Sequence, residues 1–222
     1  MFGISGANLR RVELSHTDNK TNGGDGGGSG LYTFTGVLIG AAHTNRQILV
    51  GVTSTDNNTA ADVSSVTIIG ETGLEIITVN NTGGSNAQIA SFWKATVPTG
   101  TSGTIAVQMS EATDNCAISV YRIINASTTV FDTASDIATP YTQSLDVPGF
   151  GAAVGLLTQD GNRTTTWTNL TEDLDVNGYD GTQPTTQSTA SAIFSTQQSV
   201  SITATESGAN NAALALVSFA PL

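Results

Sequence analysis

The chain has 222 residues, of which 38% are hydrophobic and 11% are charged, and its 7 Lys and Arg against 18 Asp and Glu give a formal net charge of −11. This length suits one large all-β domain or two small ones, and the acidic balance disfavours nucleic acid as a partner because phosphate backbones would be repelled. No apolar run approaches the roughly 20 residues that span a bilayer, and the first 16 residues lack the apolar core of a signal peptide, so neither a membrane partner nor Sec-type export is expected.

Residues 1–30 differ in composition from the rest of the chain and are predicted to form a flexible N-terminal arm. The run NGGDGGGSG at 22–30 has high chain entropy and few side chains to bury, which is typical of a tether. The arm is either a frayed terminus or a segment that docks on a partner. Frayed termini are common, but a purely disordered tail usually has fewer apolar residues, so the two interpretations are about equally supported. The candidate partner-binding residues are Phe2, Ile4, Leu9, Arg10, Arg11, Val12 and Leu14.

From Leu31 onward, short apolar segments alternate with turn residues. The clearest segments lie in 86–124, where Ile105, Val107 and Met109 fall on one face of a strand and polar residues fall on the other. The predicted strands are 31–39, 46–54, 64–69, 74–79, 87–97, 103–110, 116–124, 128–134, 142–147, 151–158, 163–170, 190–196, 199–205 and 212–220. Their spacing predicts an all-β fold over 31–222, an antiparallel two-sheet β-sandwich that is jelly-roll-like.

An internal echo indicates a duplication. Ile105–Glu111 aligns with Val200–Glu206 without a gap, and Ala117 then matches Ala212. Further upstream, LVGV at 49–52 matches AVGL at 153–156 with a slightly different offset, which pairs Gly51 with Gly155. These matches predict two copies of one unit at about 32–124 and 142–220, although chance similarity among Thr-rich strands is the alternative.

The two copies form either one sandwich with pseudo-twofold symmetry or two small stacked sandwiches. Each copy ends in a strongly apolar strand, 116–124 or 212–220, which favours burial of both its faces. We therefore expect a single sandwich.

No pattern of catalytic residues stands out, so the chain is not expected to be an enzyme. There is no Gly-x-Ser-x-Gly elbow, and the single cysteine, Cys116, lies in an apolar strand where it is expected to be a small core residue. Trp93 follows Phe92 on one strand, so an exposed ring for sugar binding requires an uncovered sheet face.

One acidic segment resembles half of a calcium site. Asp173, Asp175 and Asn177 precede Gly178 and reproduce the alternating oxygen ligands of a calcium loop, and Asp180 is a candidate fourth ligand. The second half of the motif fails, because Pro184 occupies the position of the bidentate Glu. The alternative is an acidic hairpin loop, and no other cofactor is predicted.

A family resemblance rests on several segments taken together: FTGVLIG, RQILVGVTS, SVTIIG, SFWKATVPTGTSGTIAVQMS, AISVYRI, TWTNLTEDLDV and STASAIF. They resemble poorly characterised proteins of tailed bacteriophages, many of them marine, and the similarity covers about 32–220. The resemblance implies a virion structural protein with a β-sandwich and brings no catalytic motif.

Three hypotheses follow. The first is a capsid decoration or cement protein at the particle surface, a homo-oligomer and most simply a trimer, whose N-terminal arm binds the major capsid protein. The second is a tail or fibre adhesion module for host surface glycans, which an exposed Trp93 or Tyr179 would support. The third, an enzyme that degrades glycans, needs two carboxylates on facing strands across a cleft.

Overall fold

The computed structural model describes residues 10–23, 28–56, 61–83, 86–177, 184–208 and 211–222. In these ranges the chain is built of β-strands, and neighbouring strands pair in antiparallel fashion. The predicted all-β sandwich is confirmed. The strands divide into two units, one from Glu13 to Ile124 and one from Ala126 to Pro221.

Unit 1 contains the first nine strands. They are β1 (Glu13–Gly23), β2 (Leu31–Leu38), β3 (Gln47–Asp56), β4 (Val63–Ile68), β5 (Glu71–Thr72), β6 (Leu74–Asn81), β7 (Ala87–Thr96), β8 (Ser102–Met109) and β9 (Asn115–Ile124). Unit 2 contains the remaining eight. They are β10 (Ala126–Asp136), β11 (Tyr141–Val147), β12 (Ala152–Asp160), β13 (Thr165–Thr168), β14 (Thr171–Asn177), β15 (Thr185–Ile193), β16 (Gln198–Glu206) and β17 (Ala212–Pro221).

Each unit is a two-sheet sandwich, and apart from the additional edge strand β5 of unit 1 the two units have the same strand order in the described residues. In unit 1 the inner sheet runs β1-β9-β3-β7-β6 and the outer sheet β2-β8-β4-β5. In unit 2 the inner sheet runs β10-β17-β12-β15-β14 and the outer sheet β11-β16-β13. The order places first strands beside last strands, as expected of a jelly-roll-like sandwich, and assignment to that fold stays a prediction.

The four sheets stack as outer 1, inner 1, inner 2 and outer 2, with a hydrophobic cluster between each successive pair. The middle cluster joins the units: Leu49, Phe92 and Tyr121 of inner sheet 1 pack against Leu156 and Phe219 of inner sheet 2. Because both faces of the inner sheets are covered, β3 is buried at every residue.

The layers correct one sequence prediction. The terminal strands β9 and β17 are indeed buried on both faces, but the two copies form two stacked sandwiches and not a single one. Burial of both faces requires only that a strand lie in a middle layer, and the sequence does not state how many layers surround it.

The prediction of a flexible arm over 1–30 is wrong for the part that forms β1. Glu13–Gly23 pairs with β9 along its length, apart from one register shift between His16 and Asp18. Asp18 fixes the strand further, because its carboxylate accepts a hydrogen bond of 2.8 Å from the amide of Leu38. Unit 1 therefore begins at Glu13 and not at about residue 32.

The internal echo is correct in part. Ile105, Val107 and Met109 face the core of unit 1 as Val200, Ile202 and Ala204 face that of unit 2. The Gly51–Gly155 match is wrong: a Cβ on Gly51 would meet Leu156 across the units, whereas one on Gly155 would meet Trp167 within its own sandwich.

The Ala117–Ala212 match is wrong for a related reason. Ala212 belongs to the core of unit 2, whereas Ala117 alternates with the core residues Cys116 and Ile118 and so faces the other unit. A change of one residue in the preceding turn is enough to exchange the two faces of a strand.

Polar contacts also tie the units together at the end of the inner sheets where β3 finishes. The Thr55 hydroxyl lies 2.8 Å from the Thr185 hydroxyl, and Asn115 donates to Thr185 at 3.1 Å. Gln88 accepts from Thr55 and from Thr158 through one amide oxygen, both at 3.1 Å. These buried hydroxyl groups and the Gln88 and Asn115 side chains thus link the two inner sheets through hydrogen bonds, although the Gln88 amide nitrogen has no partner among the described residues.

Candidate functional site

The acidic segment does not form the predicted calcium loop in the described residues. Residues 171–177 form strand β14, with a register shift between Glu172 and Leu174. Asp173 accepts a hydrogen bond from the Tyr121 hydroxyl of inner sheet 1, whereas Asp175 accepts one from the amide of Thr165 beside outer sheet 2. The two carboxylates therefore point to opposite sides of the sheet.

The third candidate ligand is also engaged elsewhere, because the Asn177 side-chain oxygen accepts a hydrogen bond of 2.9 Å from the amide of Arg163. Asp180 lies outside the described residues. Among the residues that the structure describes, no group of three or more His, Cys, Asp and Glu side chains is placed to hold a metal ion. The convergence that a calcium loop requires is missing for Asp173, Asp175 and Asn177, and the prediction is wrong for them.

The predicted partner-binding residues have different environments. Arg10 and Arg11 are exposed immediately before β1. Val12 is fully buried and its amide donates to the carbonyl of Phe150 in unit 2 at 2.9 Å, while Leu14 packs against the cluster between the units. Val12 is thus a core residue and not free for a partner, and Leu14 is partly buried at the margin of the same cluster. Phe2, Ile4 and Leu9 lie outside the described ranges.

The interface between the inner sheets has two long edges, and β1 with β14 forms the first, which we call the closed edge. Here the Tyr121 hydroxyl donates to Asp173 at 2.9 Å and joins the units. His16 packs its ring on Tyr121 with a centroid distance of 5.1 Å and an interplanar angle of 63°. Burial, followed by the charge of Asp173, raises the pKa of Tyr121 well above its usual value, so the hydroxyl is a proton donor at neutral pH.

Burial also lowers the pKa of His16, against the opposing effects of the Asp173 and Asp18 carboxylates. Its Nε2 atom is buried and has no hydrogen-bond partner among the described residues. His16 is therefore mainly neutral at pH 7 and acts as a packing residue at this edge.

The second long edge is formed by β6 and β10 and is open. Two adjoining cavities of about 270 and 300 Å³ lie along it and share Leu74, Lys94 and Thr128 as lining residues. We call them together the junction groove. Its other lining residues are Gln47, Glu71, Thr72, Glu75, Ile76, Ala95, Thr96, Thr129, Val130 and Thr133.

Lys94 is the distinctive residue of the junction groove. It is only 5% exposed, and its ammonium group donates to the Gln47 side-chain oxygen at 3.2 Å and to the carbonyl oxygen of Thr128. Burial lowers its pKa, and no Asp or Glu among the described residues forms an ion pair with it. A lysine ammonium has three N–H donors, so one donor remains beyond these two contacts.

Arg46 is the other buried cation among the described residues, and its hydrogen bonds are complete. The Arg46 guanidinium also lacks an acidic partner, but it donates to five backbone carbonyl oxygens, those of Ile39, Gly40, Val97, Thr99 and Gly100. A guanidinium has five N–H donors, so Arg46 is fully satisfied and fixes two turns of unit 1. Lys94 has no comparable set of acceptors.

The aromatic residues considered for sugar binding are core residues. Trp93 is 5% exposed and its indole N–H donates to Ser91 at 2.7 Å. Trp167 is 8% exposed and donates in the same way to Ser188. Neither ring is available as a platform, and Tyr179 lies outside the described residues.

The predicted role of Cys116 as a small core residue is confirmed. It is a free thiol, fully buried in the core of unit 1, and burial raises its pKa. The thiol stays protonated and inert at neutral pH.

Sequence reasoning missed Lys94 although a signal was present. A single lysine stands in AQIASFWKAT, a run that is otherwise apolar or neutral and that was predicted to be a strand. A charged residue inside such a strand indicates a position at the margin of the hydrophobic core. Only the packing of β10 from unit 2 shows that a cavity lies there.

The chain matches no protein-family model and no curated protein sequence. Within the described ranges there is no helix of the length and hydropathy needed to cross a bilayer.

Proposed function

We propose that this chain is a structural protein of a tailed-bacteriophage virion, a capsid decoration or cement protein that binds the outer shell as a homo-oligomer. The observation that carries the proposal is the tandem sandwich, two units with matching strand order joined through an interface with an apolar cluster at its centre. Such a stack presents long sheet edges, which suits attachment to a larger symmetric surface. The strand and turn pattern of the phage proteins that the sequence resembles supports the same reading.

The position of β1 shortens the segment that could act as a docking arm. Because β1 belongs to the inner sheet of unit 1, a docking arm is limited to the residues before Val12. Arg10 and Arg11 are exposed there and oppose the net charge of −11 of the whole chain. They favour an acidic patch on the major capsid protein as the contact.

Copy number tests the location. Quantitative mass spectrometry of purified particles of the encoding phage is expected to find on the order of hundreds of copies, as a symmetric shell requires. A few copies, at most about a dozen, would move the protein to the tail or a fibre. Absence from washed particles would contradict the virion proposal.

A truncation tests the arm. Removing residues 1–9 and changing Arg10 and Arg11 to Gln leaves β1 intact and is expected to abolish co-sedimentation with undecorated capsids. The control is the full-length chain carrying Lys20→Gln, which removes a cation on β1 and leaves the arm unchanged. Normal decoration by the truncated protein would contradict docking through the arm, while the copy number would still report on the virion role.

A further inference from the structure

We propose that the junction groove binds an extended peptide segment of a partner protein, with a carboxylate side chain of that segment placed against the Lys94 ammonium. This docking surface rests on the proposed function only in so far as its partner is a virion protein. It is carried by the state of Lys94, by the edge strands around the groove and by the charges on its rim.

The first step is the electrostatics of Lys94. A buried ammonium group loses much of its hydration, and this cost is normally offset by a carboxylate or by a full set of hydrogen bonds. Lys94 has two hydrogen bonds and no acidic partner among the described residues. Both acceptors, Gln47 and Thr128, belong to residues that line the groove, so the charged group itself lies at its wall. A carboxylate that enters the groove meets a cation that is already desolvated.

The second step is the backbone around the groove. β5, β6 and β10 each end a sheet, so each has one side without a neighbouring strand in the described structure. Edge strands present unpaired N–H and C=O groups that an extended segment can use. At the start of β10, side chains already use the carbonyls of Ala126, Ser127 and Thr128. The edge of β6 is therefore the side that we expect to receive the peptide backbone.

The third step is the shape and polarity of the lining. Leu74 is 62% exposed, and Ile76 and Val130 line the same cavity beside several threonines. Alternating apolar side chains of an extended segment would find apolar contacts here, and their polar neighbours would face solvent. Volumes of about 270 and 300 Å³ accommodate a few side chains, which suits a short segment better than a folded domain.

The fourth step is the charge on the rim. Glu71 and Glu75 line the two cavities, and both would repel a polyanion such as a nucleic acid or a sulfated glycan. The same glutamates attract Lys or Arg residues beside a single carboxylate. The preferred occupant is thus a segment with one acidic residue flanked by apolar and basic residues, which is a property of peptides.

A displayed peptide library tests the proposal. Yeast cells that display random nine-residue segments are sorted for binding to the purified full-length chain. Enriched segments are expected to share Asp or Glu at one position and apolar residues at alternate positions. For the best segment, exchanging that acid for its amide, or using the Lys94→Met variant, is expected to weaken binding by about tenfold or more, since one charge-assisted hydrogen bond is lost.

Three controls make the result specific. Combining the amide peptide with Lys94→Met should cost no more than either change alone, because both remove the same contact. Leu74→Asp, at an exposed position, should also abolish binding without affecting folding, and Lys20→Met on β1 should bind like wild type. Hydrogen exchange is expected to show new protection of β6 amides when the peptide binds.

Several results would overturn the inference. They are a sort without enriched segments, enriched segments without an acid, unchanged binding by Lys94→Met or Leu74→Asp, or protection that spares β6. None of these outcomes alters the copy number per particle, so failure of the groove is distinguishable from failure of the virion proposal.

Discussion

The two edges of the interface between the units are built from equivalent layers, but they differ in their polar contacts and in whether a groove remains. At the closed edge, Tyr121 of unit 1 donates to Asp173 of unit 2, and His16 covers the tyrosine ring. At the open edge, Lys94 of unit 1 reaches the backbone of Thr128 in unit 2, and a groove remains beside it. The first edge pairs a buried hydroxyl with a carboxylate between the units, whereas the second leaves a buried cation without an acid among the described residues.

This difference shows that a repeated strand order does not give repeated surfaces. Both edges place the outer strand of one inner sheet over that of the other, and a few side chains decide whether the gap closes. A closed edge contributes to stability, and an open edge with a desolvated charge contributes to binding. Mutations at the two edges should therefore separate these two effects.

The largest expected effect is at the closed edge. Tyr121→Ala removes a fully buried ring from the cluster between the units and is expected to lower the free energy of unfolding by about 3–5 kcal/mol. Urea unfolding followed by fluorescence measures the loss. The matched change at the open edge, Leu74→Ala, should stay within about 0.5 kcal/mol of wild type because Leu74 is 62% exposed. Equal losses at the two positions would contradict the distinction between the edges.

A smaller change tests the hydrogen bond itself. Tyr121→Phe keeps the ring and removes only the hydroxyl that donates to Asp173, so a loss of about 1.5 kcal/mol is expected. Asp173→Asn retains an acceptor at the same place and should cost less. If Tyr121→Phe leaves the urea midpoint unchanged, the contact between the units at this edge contributes nothing measurable.

The strands of the two edges were not equally predictable from sequence. The open-edge strands were predicted at 74–79 and 128–134, and they are observed at 74–81 and 126–136. Both closed-edge strands were missed: ELSHTDNKTNG of β1 was assigned to the arm, and TEDLDVN of β14 was assigned in part to a loop. β1 is polar on both faces after Leu14, so hydrophobic alternation gives no signal there and only pairing with β9 makes it a strand. In β14, Leu174 and Val176 do alternate with Asp173 and Asp175, but the alternating acidic residues were interpreted as calcium ligands.

The same reasoning explains the start of β15. The prediction began this strand at 190, whereas it begins at Thr185 with the run TTQST, all of it buried. Thr185 is buried at the polar end of the interface between the units, against Thr55 and Asn115. Ser188 is buried on the opposite face of β15, where it accepts a hydrogen bond from the Trp167 indole. The stacking of the units, which no local pattern specifies, also creates the junction groove around Lys94.

The pH dependence of stability is expected to come from the closed edge. The pKa of His16 is lowered in the folded state from 6.5, so below about pH 6.5 the unfolded chain binds a proton that the folded chain does not. The free energy of unfolding should then fall as the pH falls, by at most about 1.4 kcal/mol per pH unit, and should level off above pH 6.5. Urea unfolding between pH 5 and 7.5 measures this slope.

The contribution of His16 is obtained by difference. The pKa values of Glu172 and Asp175 are raised, chiefly by burial, so these groups give stability that is lost as the pH rises through their range, the opposite sign. His16→Gln leaves them in place and should remove only the loss between pH 5 and 6.5. An unchanged profile in His16→Gln would show that another group causes the dependence.

Only a small effect on stability is expected from changing Lys94, although that residue is more buried than most lysines. Lys94→Met keeps the aliphatic stem and removes an ammonium whose desolvation no carboxylate offsets, while Gln47 and Thr128 each lose one donor. These terms oppose each other, so the free energy of unfolding should stay within about 1 kcal/mol of wild type. A loss near that of Tyr121→Ala would make Lys94 a structural clamp between the units. A small loss together with lost peptide binding would mean that the ammonium is retained for a partner, because the fold does not need it.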